Sequence, residues 1–240
     1  MSEKDRIWEI IGTMVKTFLI IWGTSWLWLS LARKYSALGH TVHITGRDNP
    51  NIANLVYHHL DVTEDSQENV RNIEELISSF EWVNTLIYSA GYYQEWHIDN
   101  IDDSEIKKML EIWLYVPILF VKKLKKNPLN PLKVILITSS SQYTAREYEP
   151  IYTTVKAWLG MFGKSLGLDM DIGKVCVFAP SGMKTPFWSE EKNTSEYLDP
   201  DWVADKIIEY SWWNFKYRYA QILRNPNSVK IIEETTLNNT

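Results

Sequence analysis

Short apolar runs alternate with longer segments of helical apolar spacing along most of this chain. Runs such as VILIT and TLIYS are continuously apolar, which is typical of strands buried on both faces of a parallel sheet. The predicted strands are Thr17–Ile21, Thr41–Thr45, Leu55–Leu60, Val83–Tyr88, Leu132–Thr138, Lys174–Phe178 and Tyr219–Leu223. The first predicted helix ends near Ser36. The other predicted helices are Ser66–Phe80, Asp103–Lys126, Ile151–Asp169 and Pro200–Tyr210. This alternation indicates βαβ crossovers, so we expect a single α/β domain, a doubly wound parallel sheet with helices on both faces.

The start of the chain allows two interpretations. Residues 1–13 are polar, and a second methionine, Met14, stands directly before the first predicted strand. We therefore interpret residues 1–13 as a possible N-terminal extension of one domain that spans residues 14–240. The uncharged segment Thr17–Ala32 could be a short membrane anchor, but it is shorter than the roughly 20 apolar residues that span a bilayer. We favour a buried strand, a tight turn and a helix.

Charge and cysteine content exclude several classes of protein. The net charge is -5, whereas a nucleic-acid-binding domain usually has a basic face. The single cysteine, Cys176, excludes an internal disulfide and fits a reducing compartment, so we expect a cytoplasmic protein. No HExxH or CxxC spacing occurs, so no metal site is expected.

Small, hydroxyl-bearing or turn-forming residues follow most of the predicted strands. The fourth strand is followed by SAGYY, the fifth by SSSQY and the sixth by APSGMKTP. In a doubly wound sheet the carboxyl ends of the strands border one crevice, where ligands bind. The sequence therefore predicts a small-molecule site at this edge.

The candidate chemistry lies in the sequence Tyr152-Thr-Thr-Val-Lys156. Residues four apart share one face of a helix, so the Lys156 ammonium can lie near the Tyr152 ring. A nearby positive charge favours phenolate, so we expect a lowered pKa for Tyr152 and proton exchange with a carbonyl or alcohol. Ser139 could hydrogen-bond the substrate oxygen, with Ser140 and Ser141 as alternatives. The competing interpretation is a surface contact between Tyr152 and Lys156 beside a serine turn.

In order and spacing, these residues resemble the short-chain dehydrogenase/reductase family over about residues 15–225. Ser139, Tyr152 and Lys156 match the catalytic residues of that family. The resemblance implies a Rossmann-type fold and hydride transfer between a nicotinamide cofactor and a carbonyl or secondary alcohol. In that reaction Tyr152 is the general acid or base.

Three further segments resemble parts of the cofactor site of this family. LDV after the third strand, SAG after the fourth and PSGMKTP after the sixth resemble the adenine-contacting, Asn-Ala-Gly and Pro-Gly segments of the family. The cofactor-binding residues implied are Gly23, Thr24, Ser25, Leu27, Arg47, Asp61, Val62, Ala90, Gly91, Tyr152, Lys156, Pro180, Met183 and Thr185.

Tryptophan stands where the first turn of the family has glycine. The family pattern is Thr-Gly-x-x-x-Gly-x-Gly, whose glycines let the backbone approach a pyrophosphate. Here the sequence IWGTSWLW places Trp22, Trp26 and Trp28 at those positions. Trp113 stands where the family often has asparagine, and Trp158 stands where a small residue is usual.

Two hypotheses explain these tryptophans. The chain has 12 tryptophans and only 10 glycines. It is either a degenerate relative that has lost its nucleotide site, or the product of a decoding error in which UGA, glycine in some genetic codes, is read as tryptophan. Random decay would introduce several residue types, so we favour the decoding error. Under that hypothesis Trp96 also stands for glycine, whereas Trp188 and Trp202 fit as true tryptophans.

The cofactor and the partners follow from the resemblance. Arg47, just after the second strand, favours NADP(H) over NAD(H), because an arginine there accommodates the 2′-phosphate, although Asp48 leaves NAD(H) open. A homodimer or homotetramer packed through Asp103–Lys126 and Ile151–Asp169 is expected. The rival functions are a non-catalytic binding or scaffold protein with the same fold, and a membrane-anchored enzyme. The substrate is a small carbonyl or alcohol of unknown identity.

Overall fold

The structure is a computed structural model that describes residues 15–23, 26–93, 95–125, 131–185, 188 and 193–236, except for the Trp26 side chain. The possible extension at residues 1–13 lies outside these ranges. The strands are β1 (Thr17–Ile21), β2 (Thr41–Gly46), β3 (Val56–His59), β4 (Thr85–Tyr88), β5 (Lys133–Ile137), β6 (Lys174–Pro180), β7 (Tyr217–Leu223) and β8 (Ser228–Thr235). The α-helices are α1 (Trp26–Ala37), α2 (Ser66–Ser78), α3 (Asp103–Leu110), α4 (Val116–Leu124), α5 (Pro150–Leu166) and α6 (Pro200–Ser211).

The strands form one sheet in the order β3-β2-β1-β4-β5-β6-β7-β8. Neighbours from β3 to β7 pair in parallel, and β8 pairs antiparallel with β7. The predicted doubly wound α/β fold is confirmed. The order reverses between β1 and β4, and this switch point opens the crevice in which such sheets bind ligands.

Both faces of the sheet are buried, as the continuous apolar runs predict. In β1, Leu19 and Ile21 pack into one hydrophobic cluster, while Phe18 and Ile20 pack into the other. β1 is thus a central strand, which confirms the strand interpretation of Thr17–Ile21. Within the described ranges, no helix has the length and apolar character needed to cross a membrane.

The structure differs from the prediction at two elements. Strand β8 was not predicted, because its SVKIIEET sequence is largely exposed and lacks the apolar run of a buried strand. The helix predicted over Asp103–Lys126 is interrupted by a π-helical turn, Glu111–Tyr115, between α3 and α4. This turn contains Trp113, which is buried. Lys126, the last residue of the predicted helix, lies outside the described part of the chain.

Helix α5, which carries the candidate chemistry, begins at a proline. Pro150 occupies the first helical position, where its missing N–H has no intrahelical partner to lose. The backbone N–H of Thr153 donates to the carbonyl of Glu149, which closes the first turn. Glu149 is therefore the N-cap residue of this helix.

A histidine pair on β2 and β3 makes stability depend on pH. His43 Nδ1 lies 2.8 Å from His58 Nε2, and both rings contact Phe80 edge-on. Burial, with a smaller contribution from the charge of His58, lowers the pKa of His43 to about 4. Because the folded state disfavours the protonated ring, stability is fully present above the ordinary pKa of 6.5 and is lost as the pH falls towards 4.

We therefore expect the free energy of unfolding to fall between pH 6.5 and 4, with about 1 kcal/mol of the loss due to His43. This figure is well below the full equivalent of the pKa change, because water screens a partly exposed ring. In His43→Gln, urea titrations at pH 7 and pH 4.5 should differ less than in the parent. His97→Gln, at an exposed histidine, should leave the parent difference intact. An unchanged pH dependence in His43→Gln would contradict this expectation.

Candidate functional site

A cavity of about 300 Å³ opens at the carboxyl ends of the central strands. Its walls come from α1, the segments after β4, β5 and β6, and helix α5. The cavity therefore lies at the switch point where the sequence predicted a small-molecule site.

Tyr152 lies in the wall of this cavity and is only 7% exposed. Ser139, from the turn after β5, lines the same cavity, and its side chain interacts with Tyr152 in a way that lowers the Tyr152 pKa. The edges of its ring meet Tyr93 and Trp113, with centroids at 5.1 and 6.0 Å. The structure thus places the predicted tyrosine and serine in the wall of one cavity. The competing interpretation, an exposed surface contact, does not fit a buried tyrosine.

The pKa of Tyr152 is raised, not lowered as the sequence suggested. Burial is the largest cause, and the negative charge of Glu149 adds to it. The Ser139 side chain and the positive charge of Arg146 oppose the increase. The protein's own residues therefore keep Tyr152 a neutral phenol at neutral pH.

Lys156 lies one helical turn from Tyr152 and is buried. Its Nζ lies 5.4 Å from the centroid of the Tyr152 ring and 3.1 Å from that of Trp113, and it donates to the carbonyl of Ile137 at 3.2 Å. Burial lowers the pKa of Lys156 well below its ordinary value. Burial therefore disfavours the charged form of both residues, the ammonium of Lys156 and the phenolate of Tyr152.

The three serines after β5 have different partners. Ser139 Oγ accepts from the backbone N–H of Ser141 at 3.2 Å. Ser141 Oγ donates to Glu149 Oε2 at 2.9 Å, and Ser140 Oγ accepts from Arg146 Nη2 at 2.7 Å. Of the three, Ser139 is the one whose side chain affects the Tyr152 pKa.

Glu149 was missed by the sequence analysis. Its carboxylate is 5% exposed, and it accepts from Tyr93 Oη at 2.9 Å, Ser141 Oγ at 2.9 Å and Arg146 Nη1 at 3.4 Å. The available signal was an acidic residue directly before the proline that begins the tyrosine helix. We interpreted that region only for tyrosine and lysine.

The predicted cofactor-binding residues divide into three groups. Those in the cavity wall are Leu27, Ala90, Gly91, Tyr152, Lys156, Pro180, Met183 and Thr185. Those outside the wall are Gly23, Arg47, Asp61 and Val62. Thr24 and Ser25 lie outside the described residues.

Two members of the second group have packing roles. A Cβ on Gly23 would come within 2.8 Å of the Ile44 side chain, so this position needs glycine to pack on β2. Val62 is buried in the hydrophobic core. Arg47 is exposed at the end of β2.

Trp22 occupies a backbone conformation that favours glycine. Its φ is +59°, in the left-handed region, and its indole Nε1 is buried without a hydrogen-bond partner among the described residues. Trp113 Nε1, in contrast, donates to the carbonyl of Tyr92 at 3.0 Å, and Trp188 Nε1 donates to that of Met183 at 2.9 Å. Trp22 is therefore poorly accommodated, whereas these two indoles are hydrogen-bonded.

The other tryptophans at unusual positions differ in exposure. Trp28 lines the cavity, while Trp96 and Trp158 are 58% and 47% exposed. The Trp26 side chain lies outside the described part. Trp28 therefore occupies space at the cavity wall that a glycine would leave open.

The described residues contain no group of three or more histidine, cysteine or acidic side chains that could hold a metal ion. The cavity wall contains tyrosine, serine, lysine and glutamate side chains that can exchange protons.

Comparisons with known proteins agree with this architecture. A family model described as short chain dehydrogenase matches residues 23–196. A sequence comparison with curated proteins gives no significant match.

Among similar solved structures is a short-chain dehydrogenase from Streptomyces avermitilis, 17% identical, with a TM-score of 0.73 and coverage of 86% of this chain and 88% of that one. A gluconate 5-dehydrogenase from Burkholderia cenocepacia J2315, solved with NADP and tartrate, is 15% identical, with a TM-score of 0.74 and coverage of 88% and 95%. A 3-ketoacyl-(acyl-carrier-protein) reductase from Brucella melitensis, solved with NADH, is 17% identical, with a TM-score of 0.73 and coverage of 86% and 96%. At these identities the likeness shows the fold.

Proposed function

Because the chain belongs to the short-chain dehydrogenase family, we propose that it is an NAD(P)-dependent oxidoreductase acting on a small carbonyl or secondary alcohol. The observation that carries this proposal is the buried Tyr152 phenol in the cavity wall, which it shares with Ser139 and with Lys156, one helical turn away. The catalytic residues proposed are Tyr152, Ser139 and Lys156. The test is NADPH oxidation with a panel of small aldehydes and ketones.

Each proposed catalytic residue has a separate task. Tyr152, held as a neutral phenol, donates its proton to the substrate oxygen, or in the reverse direction takes one as phenolate. Ser139, in the same wall, lies beside the position that the substrate oxygen takes. Lys156, packed on Trp113 and 5.4 Å from the centroid of the Tyr152 ring, supports the tyrosine. When bound, a nicotinamide supplies or accepts the hydride.

The cavity wall fits the nicotinamide end of a dinucleotide better than its phosphate end. Ala90, Gly91 and Pro180 line the cavity with small or flat surfaces beside Tyr152. The turn after β1 and the start of α1 instead carry tryptophans at positions 22, 26 and 28. We propose that the natural protein has glycine at positions 22, 26 and 28, and that a dinucleotide binds with those glycines in place.

The support for glycine at position 22 is the positive φ together with the unpartnered indole N–H. A residue other than glycine in this region is strained, and a buried donor without a partner costs free energy. UGA codons at positions 22, 26 and 28 of the gene would establish the decoding error. UGG codons there would exclude it.

We further propose that NADP(H) is preferred over NAD(H), with Arg47 as the determinant. Arg47 directly follows β2, and its exposed side chain is free of the core. In the chain with glycine at positions 22, 26 and 28, the KM for NADPH should be lower than that for NADH. Arg47→Leu should raise the KM for NADPH about tenfold or more and leave that for NADH unchanged, because a lost charged hydrogen bond costs about 1.5–3 kcal/mol. Arg71→Leu, at another exposed arginine, is the control, and an equal KM for both coenzymes would refute the preference.

The second candidate function is a binding or scaffold protein that has lost turnover. The observation that favours it is the indole-bearing turn after β1, taken as the true sequence. It predicts that NADPH leaves the melting temperature unchanged even when glycine is restored.

Two further properties complete the proposal. Exposed apolar side chains on the π-turn, α4 and α5, among them Tyr115, Ile118, Trp158 and Met161, support a homodimer or homotetramer packed through these helices. The single buried cysteine supports a cytoplasmic location.

A further inference from the structure

A series of aromatic rings lines the cavity from Tyr152 to the segment after β6. The Tyr93 ring meets the Tyr152 ring edge to face, with centroids 5.1 Å apart. Trp188 meets Tyr93 at 5.6 Å and Tyr197 at 5.3 Å, again edge to face. All four side chains belong to the cavity wall. They form one continuous aromatic surface, here named the aromatic row, which begins at the proposed proton donor.

Packing and hydrogen bonds hold the aromatic row in place. The Tyr93 hydroxyl donates to Glu149 at 2.9 Å, and Trp188 Nε1 donates to a backbone carbonyl of the segment after β6 at 2.9 Å. Gly182 lets the Tyr197 ring lie against that segment, because a Cβ there would come within 2.8 Å of the ring. The rings are therefore in place before a ligand arrives, which lowers the entropic cost of binding.

The aromatic row favours a planar aromatic ligand. Tyr93, Trp188 and Tyr197 are each only partly buried, so ring surface remains open to the cavity. Aromatic rings attract one another in edge-to-face and offset-stacked arrangements, beyond the gain from burying apolar area. A ligand with an aromatic ring makes these contacts, whereas a short aliphatic ligand makes none of them.

The aromatic row ends at a positive charge. Arg224 directly follows β7 and lines the cavity, and its guanidinium carbon lies 4.7 Å from the centroid of the Tyr197 ring. Among the residues that the structure describes, no carboxylate pairs with Arg224. The carboxylate of Glu196 accepts from an asparagine side chain, and the charge of Arg146 is balanced by Glu149. A guanidinium binds a carboxylate through two parallel hydrogen bonds, so Arg224 suits an acidic group on the ligand.

We propose that the substrate is an aromatic aldehyde or ketone with a carboxylate at the end remote from its carbonyl group. The aromatic row binds the ring, Arg224 binds the carboxylate, and the carbonyl group lies at Tyr152. The proposal rests on the proposed function and names its substrate class. In reduction the carbonyl carbon receives a hydride from NADPH and the carbonyl oxygen receives a proton from Tyr152, which gives the alcohol and NADP⁺.

The test compares three ketones with the full chain that has glycine at positions 22, 26 and 28. 4-Acetylbenzoate has both the ring and the carboxylate, acetophenone has only the ring, and 4-oxopentanoate has only the carboxylate. Dissociation constants are measured by isothermal titration calorimetry without coenzyme, so that binding is separate from turnover. 4-Acetylbenzoate should bind about tenfold more tightly than each of the other two. Equal or weaker binding than either of them would overturn the proposal.

Variants separate the contribution of the ring from that of the charge. Arg224→Leu should weaken 4-acetylbenzoate about tenfold and leave acetophenone unchanged. Trp188→Leu should weaken both aromatic ketones about fivefold and leave 4-oxopentanoate unchanged, and Tyr197→Leu should do the same from a second position of the aromatic row. Arg71→Leu and Trp82→Leu, at exposed positions, are the matched controls and should leave all three dissociation constants unchanged. No effect of Arg224→Leu, or none of the two aromatic variants, would contradict the proposal.

Failure of the substrate class and failure of the oxidoreductase function give different results. If NADPH reduces 4-oxopentanoate with the same kcat/KM as 4-acetylbenzoate, the substrate class is wrong and the oxidoreductase function stands. If 4-acetylbenzoate binds as expected but no ketone causes NADPH oxidation, the oxidoreductase function is refuted and the ligand class stands. A UGA codon at position 188 would overturn the proposal as well, because the natural protein would then lack the central ring of the aromatic row.

Discussion

Replacing Tyr152 with phenylalanine, in a chain with glycine at positions 22, 26 and 28, is expected to lower kcat for NADPH-dependent carbonyl reduction about 10²–10⁴-fold. Phenylalanine keeps the ring in its buried place between Tyr93 and Trp113 and removes only the hydroxyl. The loss therefore reports proton donation rather than a change in fold. The measurement is the decrease of NADPH absorbance with small aldehydes and ketones.

Two controls show whether the loss of activity is specific to the Tyr152 hydroxyl. Tyr148→Phe makes the same change at a half-exposed tyrosine of the preceding segment and should keep the parent rate. The Tyr152→Phe protein should still gain thermal stability from NADPH, because the hydroxyl contributes little to binding the whole dinucleotide. A Tyr152→Phe variant that reduces carbonyls at the parent rate would remove Tyr152 from the mechanism.

Restoring glycine at positions 22, 26 and 28 is expected to create dinucleotide binding. A ligand that binds only the folded state stabilises it by about 2.7 kcal/mol at 100 times its dissociation constant, which is about 5–10 °C in melting temperature for a domain of this size. The protein with tryptophan at these positions should shift by less than about 1 °C with NADPH. The physical reason is the indole volume at the turn and the cavity wall, together with the left-handed backbone of Trp22.

The control replaces tryptophans away from the turn. Trp82 and Trp213 are each nearly half exposed, so Trp82→Gly and Trp213→Gly together change the composition without opening the turn. This double variant should gain no stabilisation from NADPH. If the protein with restored glycines also gains none, the scaffold function is favoured over the enzyme.

The fold was predictable because its strands are buried on both faces. β1 and β5 are almost wholly apolar, and the helices between strands carry clear starts such as Asp199 before Pro200. Strand β8 was not predictable from periodicity, because an exposed edge strand needs few apolar residues. The π-turn at Trp113 also left no sequence signal, since its residues continue a helical pattern.

The sequence predicted part of the cavity wall but not its electrostatics. The spacing of Tyr152 and Lys156 correctly placed both on one helix face, and the resemblance pointed to Ser139. The direction of the Tyr152 pKa was wrong, because burial outweighs a lysine that is itself desolvated. Burial is a tertiary property, so spacing alone does not report it. Glu149 was not predicted as a site residue for the same reason.

The most direct test of the account follows the hydride itself. The chain with glycine at positions 22, 26 and 28 is incubated with NADPH deuterated at either face of the nicotinamide C4 and with the carbonyl panel, and the products are analysed by mass spectrometry. The account predicts an alcohol with one deuterium on the former carbonyl carbon, from one face of the cofactor only, and about 10²–10⁴-fold slower labelling in Tyr152→Phe. If the chain that keeps Tyr152 transfers no deuterium from either face of the nicotinamide, the account is contradicted.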